Sequence, residues 1–161
     1  MIRASRDEPT FSLFPLAEPA ARRRAGDGCP GEIAFTVFGV AVPKARARTV
    51  KLPNGQISSY TPAKTREWEG WIRAQAVAVK PPQPLDGPLT LEATFYLPRP
   101  PSVPRSRRYP EVKPDLDNLL KAVKDALRGL IYLDDSRVVE VRARKRYDQV
   151  PRVEIRIAPA A

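Results

Sequence analysis

Two aspartates one residue apart, Asp115 and Asp117, and two adjacent ones, Asp134 and Asp135, bracket a short stretch of this chain. Carboxylates grouped so closely repel one another unless something positive sits among them. Hard divalent cations such as Mg²⁺ prefer oxygen ligands of this kind. On extended backbone, positions i and i+2 point the same way, so Asp115 and Asp117 would face one spot. Pro114 disfavours a helical Lys113, and the pair is therefore expected to enter the next helix extended. Asp134 and Asp135 follow the apolar run Leu130-Ile131-Tyr132-Leu133. If that run folds back beside the helix start, a third ligand reaches the pair. Two metals ~4 Å apart would clamp the attacking water and the leaving oxygen of a phosphodiester. Lys121, one turn after Asp117, could contact the scissile phosphate or the charge developing on it.

Each piece also has a plainer reading. Asp117 alone reads as an N-cap. Asp117, Lys121 and Asp125 read as a solvated ion-pair ladder worth ~0.3–0.5 kcal/mol per pair. Asp134-Asp135 reads as a turn. The joint chemical reading is favoured because this acid is concentrated in a basic chain, with 28 Lys+Arg against 18 Asp+Glu and a formal net charge of +10. Such an excess favours a polyanionic partner, nucleic acid before membrane.

Absences narrow the chemistry further. Without histidine, Ser-His-Asp and Cys-His catalysis and imidazole metal sites are excluded. Cys29 is the only cysteine, so neither an intrachain disulfide nor a thiolate zinc cluster is possible, and a reducing cytoplasm fits. No apolar run approaches the ~18 residues of a membrane span, and the start does not read as a secretory signal.

The elements that must position these groups are legible in outline. Residues 1–31, rich in Pro, Ala, Arg and Gly, read as a poorly ordered tail, and 32–161 as one domain. Ile33–Val42 is apolar on both faces and predicts a buried strand. Lys44, Arg46 and Arg48 follow at every second position, a face suited to successive phosphates or to blunting a sheet edge; phosphates are favoured. Pro53-Asn54-Gly55 predicts a turn between short arms. Thr61 as N-cap and Pro62 at the first helical position start a helix to about Val79, with Trp68, Trp71, Ile72, Ala76 and Val79 on one stripe. The tryptophans fit core better than base stacking. Leu89–Leu97 alternates as a half-buried strand. A Pro- and Arg-rich loop, 98–114, leads to a second helix from about Asn118 to Arg128, ended by Gly129. Val138–Tyr147 and Arg152–Ile157 alternate and predict a hairpin around residues 148–151, with Val139, Val141, Ala143, Val153, Ile155 and Ile157 facing inward. The order β-α-β-α-β-β predicts an α/β (α+β) domain, a mixed sheet with two helices packed on it.

The string KPDLDNLLKAVKDALRGLIYLDDSRVVEVRARKRY resembles the signature of the RusA family of Holliday junction resolvases, which runs P-D-x-D-N-L-x-K-x-x-x-D-A-L, a short link, then D-D-x-Q-V-V. The chain supplies Pro114, Asp115, Asp117, Asn118, Leu119, Lys121, Asp125, Ala126, Leu127, Asp134, Asp135, Val138 and Val139. Arg137 stands where the family has glutamine. Supporting matches at 42–48, 60–62 and 95–98 extend the resemblance over about residues 33–157. It implies a RusA-like fold and a Mg²⁺-dependent endodeoxyribonuclease, with Mn²⁺ as a substitute, that nicks opposed strands of a four-way DNA junction. It implies Asp115, Asp117 and Asp135 as metal-binding catalytic aspartates, Lys121 as the essential lysine, and Asp134 as the less critical member of its pair. It also implies a homodimer, matching the two-fold symmetry of such a junction. Two alternatives stay open on the residues alone: a non-catalytic DNA-binding module of the same fold, and a nuclease preferring flaps, forks or RNA.

Overall fold

The computed structural model describes residues 31–46, 48–51 and 53–160, and the tail expected at the N-terminus lies almost wholly outside them. The elements run β1 (Ile33–Phe38), β2 (Arg48–Lys51), β3 (Ile57–Tyr60), α1 (Ala63–Val77), β4 (Leu89–Pro98), α2 (Leu116–Leu127), β5 (Val138–Asp148) and β6 (Arg152–Pro159), with a 3₁₀ turn at Asp135–Arg137 before β5. The fold is α+β, a four-stranded mixed sheet with two helices, beside which β2 and β3 form a separate antiparallel ribbon. No described helix is long and apolar enough to cross a membrane.

Alternation builds the centre of the sheet. In β4 the residues Leu89, Leu91, Ala93, Phe95 and Leu97 are buried while their neighbours stay half-buried. β6 repeats the pattern with Val153, Ile155 and Ile157. Against this face pack Trp68, Ile72 and Ala76 from α1 and Leu119, Val123 and Leu127 from α2. Fully burying each large apolar side chain contributes about 1.5–3 kcal/mol.

The order of strands is β1-β6-β4-β5, with β5 parallel to β4 and the other pairs antiparallel. The hairpin expected between β5 and β6 is therefore absent, because β4 lies between them. Asp148 pairs with Pro98 and Arg152 with Tyr96, on opposite sides of β4. Crossing two strand spacings takes ~10 Å, and four extended residue steps reach ~13 Å. The crossing is tied by Asp148, whose carboxylate accepts the amides of Gln149 and Val150 and the Arg152 guanidinium. Arg152 Nη1 also donates to the Val150 carbonyl.

Two burial expectations change with this topology. β5 is an edge strand, so Val141 stays 41% exposed although it shares the inward side with Leu91, and Val139, at a shift of register, is 62% exposed. β1 is the other edge, and it stops at Phe38 because Gly39 turns the chain at φ 128°. Pro62 sits at the N-cap of α1, not at its first helical position, and its carbonyl accepts the amides of Thr65 and Arg66.

Candidate active site

Helix α2 begins two residues earlier than its apolar periodicity suggests. Asp115 is its N-cap, extended at φ −71° and ψ 141°, and Asp117 already lies in its first turn. The two carboxylates straddle the helix start and do not share one extended stretch. Proline constrains the residue before it, and Pro114 leaves the backbone after it free to coil. The Asp115 carbonyl accepts the Leu119 amide at 3.1 Å, but its side chain makes no capping bond. Both carboxylates are exposed, and Asp117 gains from the positive end of the helix.

The anticipated ladder along the polar face of α2 does not form. Asp125 accepts from Lys44 at 2.7 Å. Among the described residues, Lys121 has no ion-pair partner, and it stands exposed one turn beyond Asp117.

Asp134 and Asp135 take different surroundings. Asp134 caps the 3₁₀ turn by accepting the Ser136 amide at 3.1 Å, and that bond holds its carboxyl below the usual range. Asp135 turns towards the helix. Its Oδ2 lies 3.8 Å from Lys124 Nζ, and its Oδ1 is buried without a hydrogen-bond partner. Beneath it the buried Tyr132 hydroxyl donates to the Lys124 carbonyl at 3.0 Å. Burial, then the charge of Asp135, push the Tyr132 phenol up, so it stays protonated.

Residues 130–133 do fold back on α2, but they bring Asp135 to Lys124. That residue lies seven positions beyond Asp117 on the same face, ~10 Å along the axis. Among the described residues no three acidic, histidine or cysteine side chains converge into a ready metal cage. In kind, the donors fit a hard divalent cation, being all carboxylate oxygens. The buried, unpartnered Asp135 Oδ1 is the group most in need of a cation, since buried polar atoms are almost always satisfied. In this arrangement the other oxygen, Oδ2, is the one turned to Lys124.

The basic row after β1 is broken up as well. Lys44 Nζ sits 2.7 Å from both Glu69 of α1 and Asp125 of α2, and its amide donates to the Asn118 carbonyl at 2.8 Å. Burial alone would lower its pKa, but the hydrogen bonds and charges of Asp125 and Glu69 outweigh that and raise it. Its ammonium is spent on protein carboxylates where phosphate was expected. Arg46 is exposed, and the side chain of Arg48 lies outside the described residues.

The loop before α2 is held by cations on aromatics and carbonyls. Arg99 donates to the carbonyls of Pro104 and Arg107 at 2.8 Å and lies over the Tyr147 ring at 4.4 Å. Arg146 lies over Tyr109. Lys145 donates to the carbonyls of Val112 and Pro114, both at 3.0 Å. Lys145, Lys124 and Glu69 are given no role by the sequence, although periodicity places Lys124 on the polar face of α2. Only Lys145 had a signal, a cation on the inner face of β5 in step with Val141 and Ala143. The other two partnerships are fixed by how α2 packs, which no local pattern encodes.

A family model described as "Endodeoxyribonuclease RusA" matches residues 39–158, a span that takes in α2 and both acidic pairs. An uncharacterized protein, YqaN, of Bacillus subtilis (strain 168) is 37% identical over 135 residues, covering 78% of this chain and 94% of that protein. The crossover junction endodeoxyribonuclease rusA of Lactococcus phage r1t is 32% identical over 114 residues, covering 67% of this chain and 82% of the phage protein.

Proposed function

The chain belongs to the RusA endodeoxyribonuclease family, and from that membership we propose that it resolves four-way DNA junctions by paired, symmetric, Mg²⁺-dependent nicks, in DNA recombination and repair. The phage relative named as a crossover junction endodeoxyribonuclease supports the choice of substrate. The observation that carries the metal is the buried Asp135 Oδ1, a carboxylate oxygen that accepts no hydrogen bond of good geometry, although its carboxylate acts on the Tyr132 hydroxyl beside it. Asp115, Asp117 and Asp135 would hold the cation, and Mn²⁺ would substitute. When bound, the cation supplies an activated water and neutralises charge on the phosphodiester.

The chain's own groups do the rest. Lys121, unpaired among the described residues, is placed to meet a phosphate oxygen. Tyr132 fixes the backbone at Lys124 and so the floor beneath Asp135. Asp134, committed to its cap, holds the turn that presents Asp135. Arg46 and Arg48 remain the candidates for holding DNA. Products carry 5′-phosphate and 3′-hydroxyl ends, and a homodimer matches the symmetry of the junction.

The test is purified protein, a synthetic four-way junction and Mg²⁺. We expect opposed nicks from the native protein and a loss of at least ~100-fold in Asp117→Asn, which still binds the junction because it repels phosphate less. Cleavage undiminished in Asp117→Asn, or none by the native protein, would overturn the proposal. A metal titration by calorimetry separates the enzyme from a non-catalytic DNA-binding module, which has no use for acid facing phosphate.

A further inference from the structure

Lys145 lies on the helix-facing side of β5, where its alternating neighbours are Val141 and Ala143. A lysine at such a position must find partners for its ammonium or leave it in water. Its Nζ finds two peptide carbonyls, Val112 and Pro114, each at 3.0 Å. Both belong to the short segment that delivers the chain to α2, and Pro114 directly precedes the N-cap, Asp115. The side chain also forms part of a shallow cleft of about 330 Å³ with Tyr109, Pro110, Leu116 and Ala143. Its charge is thus committed to backbone beside the acidic pair.

We infer that Lys145 is a positioning residue for Asp115, fixing the carboxylate by holding the two carbonyls upstream of it; this rests on Asp115 being a metal ligand. The reasoning is geometric. Asp115 itself has no side-chain capping bond to hold it. Its Cα position is set by the helix on one side and by the Pro114 peptide on the other. The helix side is secured by the Asp115 carbonyl bond to Leu119. The upstream side is secured by Lys145, which reaches across from another element. Charge-assisted bonds of this kind are about twice as strong as neutral ones. A ligand displaced by ~1 Å loses on the order of 100-fold in rate.

The test compares Lys145→Met, Lys145→Gln and Lys145→Arg with the native protein. Four measurements are made on each: thermal unfolding, Mn²⁺ titration of the free protein by calorimetry, junction binding without divalent metal across a salt series, and cleavage with Mg²⁺. Lys145→Met is expected to bind Mn²⁺ at least ~10-fold more weakly and to lose kcat by a similar factor or more. Its junction affinity and salt slope stay native. Lys145→Arg and Lys145→Gln, which keep donors for the carbonyls, recover part of the metal affinity.

Native Mn²⁺ affinity in a folded Lys145→Met overturns the inference. So does a defect confined to junction affinity with a salt slope reduced by ~1, which marks a phosphate contact. If Lys145→Met does not fold, Lys145→Gln decides by the same readouts. Asp115→Asn is the control for the underlying reading. If it binds Mn²⁺ and cleaves like the native protein, Asp115 is no ligand, whatever the Lys145 variants do.

Discussion

The ammonium of Lys44 has carboxylates at 2.7 Å on two sides, so deleting it leaves Glu69 and Asp125 uncompensated between the helices. Lys44→Met is expected to cost about 1–3 kcal/mol in urea unfolding, the scale of hydrogen bonds to charged groups. Junction binding by this variant should keep its native salt slope, where loss of a phosphate contact lowers the slope by ~1. The pH dependence has a definite sign. Lys44 has a folded pKa above its ordinary value of 10.5. Its contribution is full below the unfolded value and is lost as pH rises through the folded one. As pH rises from neutral, the native protein and Lys44→Met should therefore differ by a constant amount and converge above about 10.5. Converging already between neutral pH and about 10 would show that the pairing is not what stabilises. At this scale the aspartates were legible, because acid stands out in a basic chain. The contacts around them were not, because Lys44, Glu69 and Lys145 reach α2 and the segment before it from distant elements.

Helix α2 is the element on which the site depends, and its C-terminal end is a sharp one. Gly129 takes φ 70° and its amide bonds the Tyr132 carbonyl at 2.7 Å, turning the chain into the strip that ends at Asp134-Asp135. A Cβ there would meet nothing within 4 Å, so only the backbone conformation resists substitution. Gly129→Ala is expected to cost about 1–2 kcal/mol with an unchanged denaturant slope, and Gly129→Asn less. Equal costs for the two would locate the penalty outside the backbone angle. Periodicity made α2 and its glycine stop legible, and alternation made β4 legible to within a residue. The helix start was misplaced because Leu116 and Asp117 look like a continuation of the loop. The β5–β6 hairpin was misread because alternation tells which residues share a face but not which strand lies alongside.

For the molecule as a whole, β6 is the strand on which the sheet closes. It pairs with β1 on one side and β4 on the other, and Ile155 faces both Phe35 and Ala93. A chain ending at Val150 is expected to show no cooperative thermal transition, although it keeps the segments of both helices and the four aspartates of the two acidic pairs. A native-like transition in that fragment would mean that β1 and β4 find each other without β6. The same topology bears on synthesis. On a ribosome, β1 and β4 are made first and wait apart for Arg152–Pro159. Until that stretch emerges, β4 and β5 can pair but β1 stays outside the sheet, and the face on which α2 packs lacks Val153, Ile155 and Ile157. The sheet that carries the acidic pairs is therefore complete only when translation reaches the strand that joins β1 to β4.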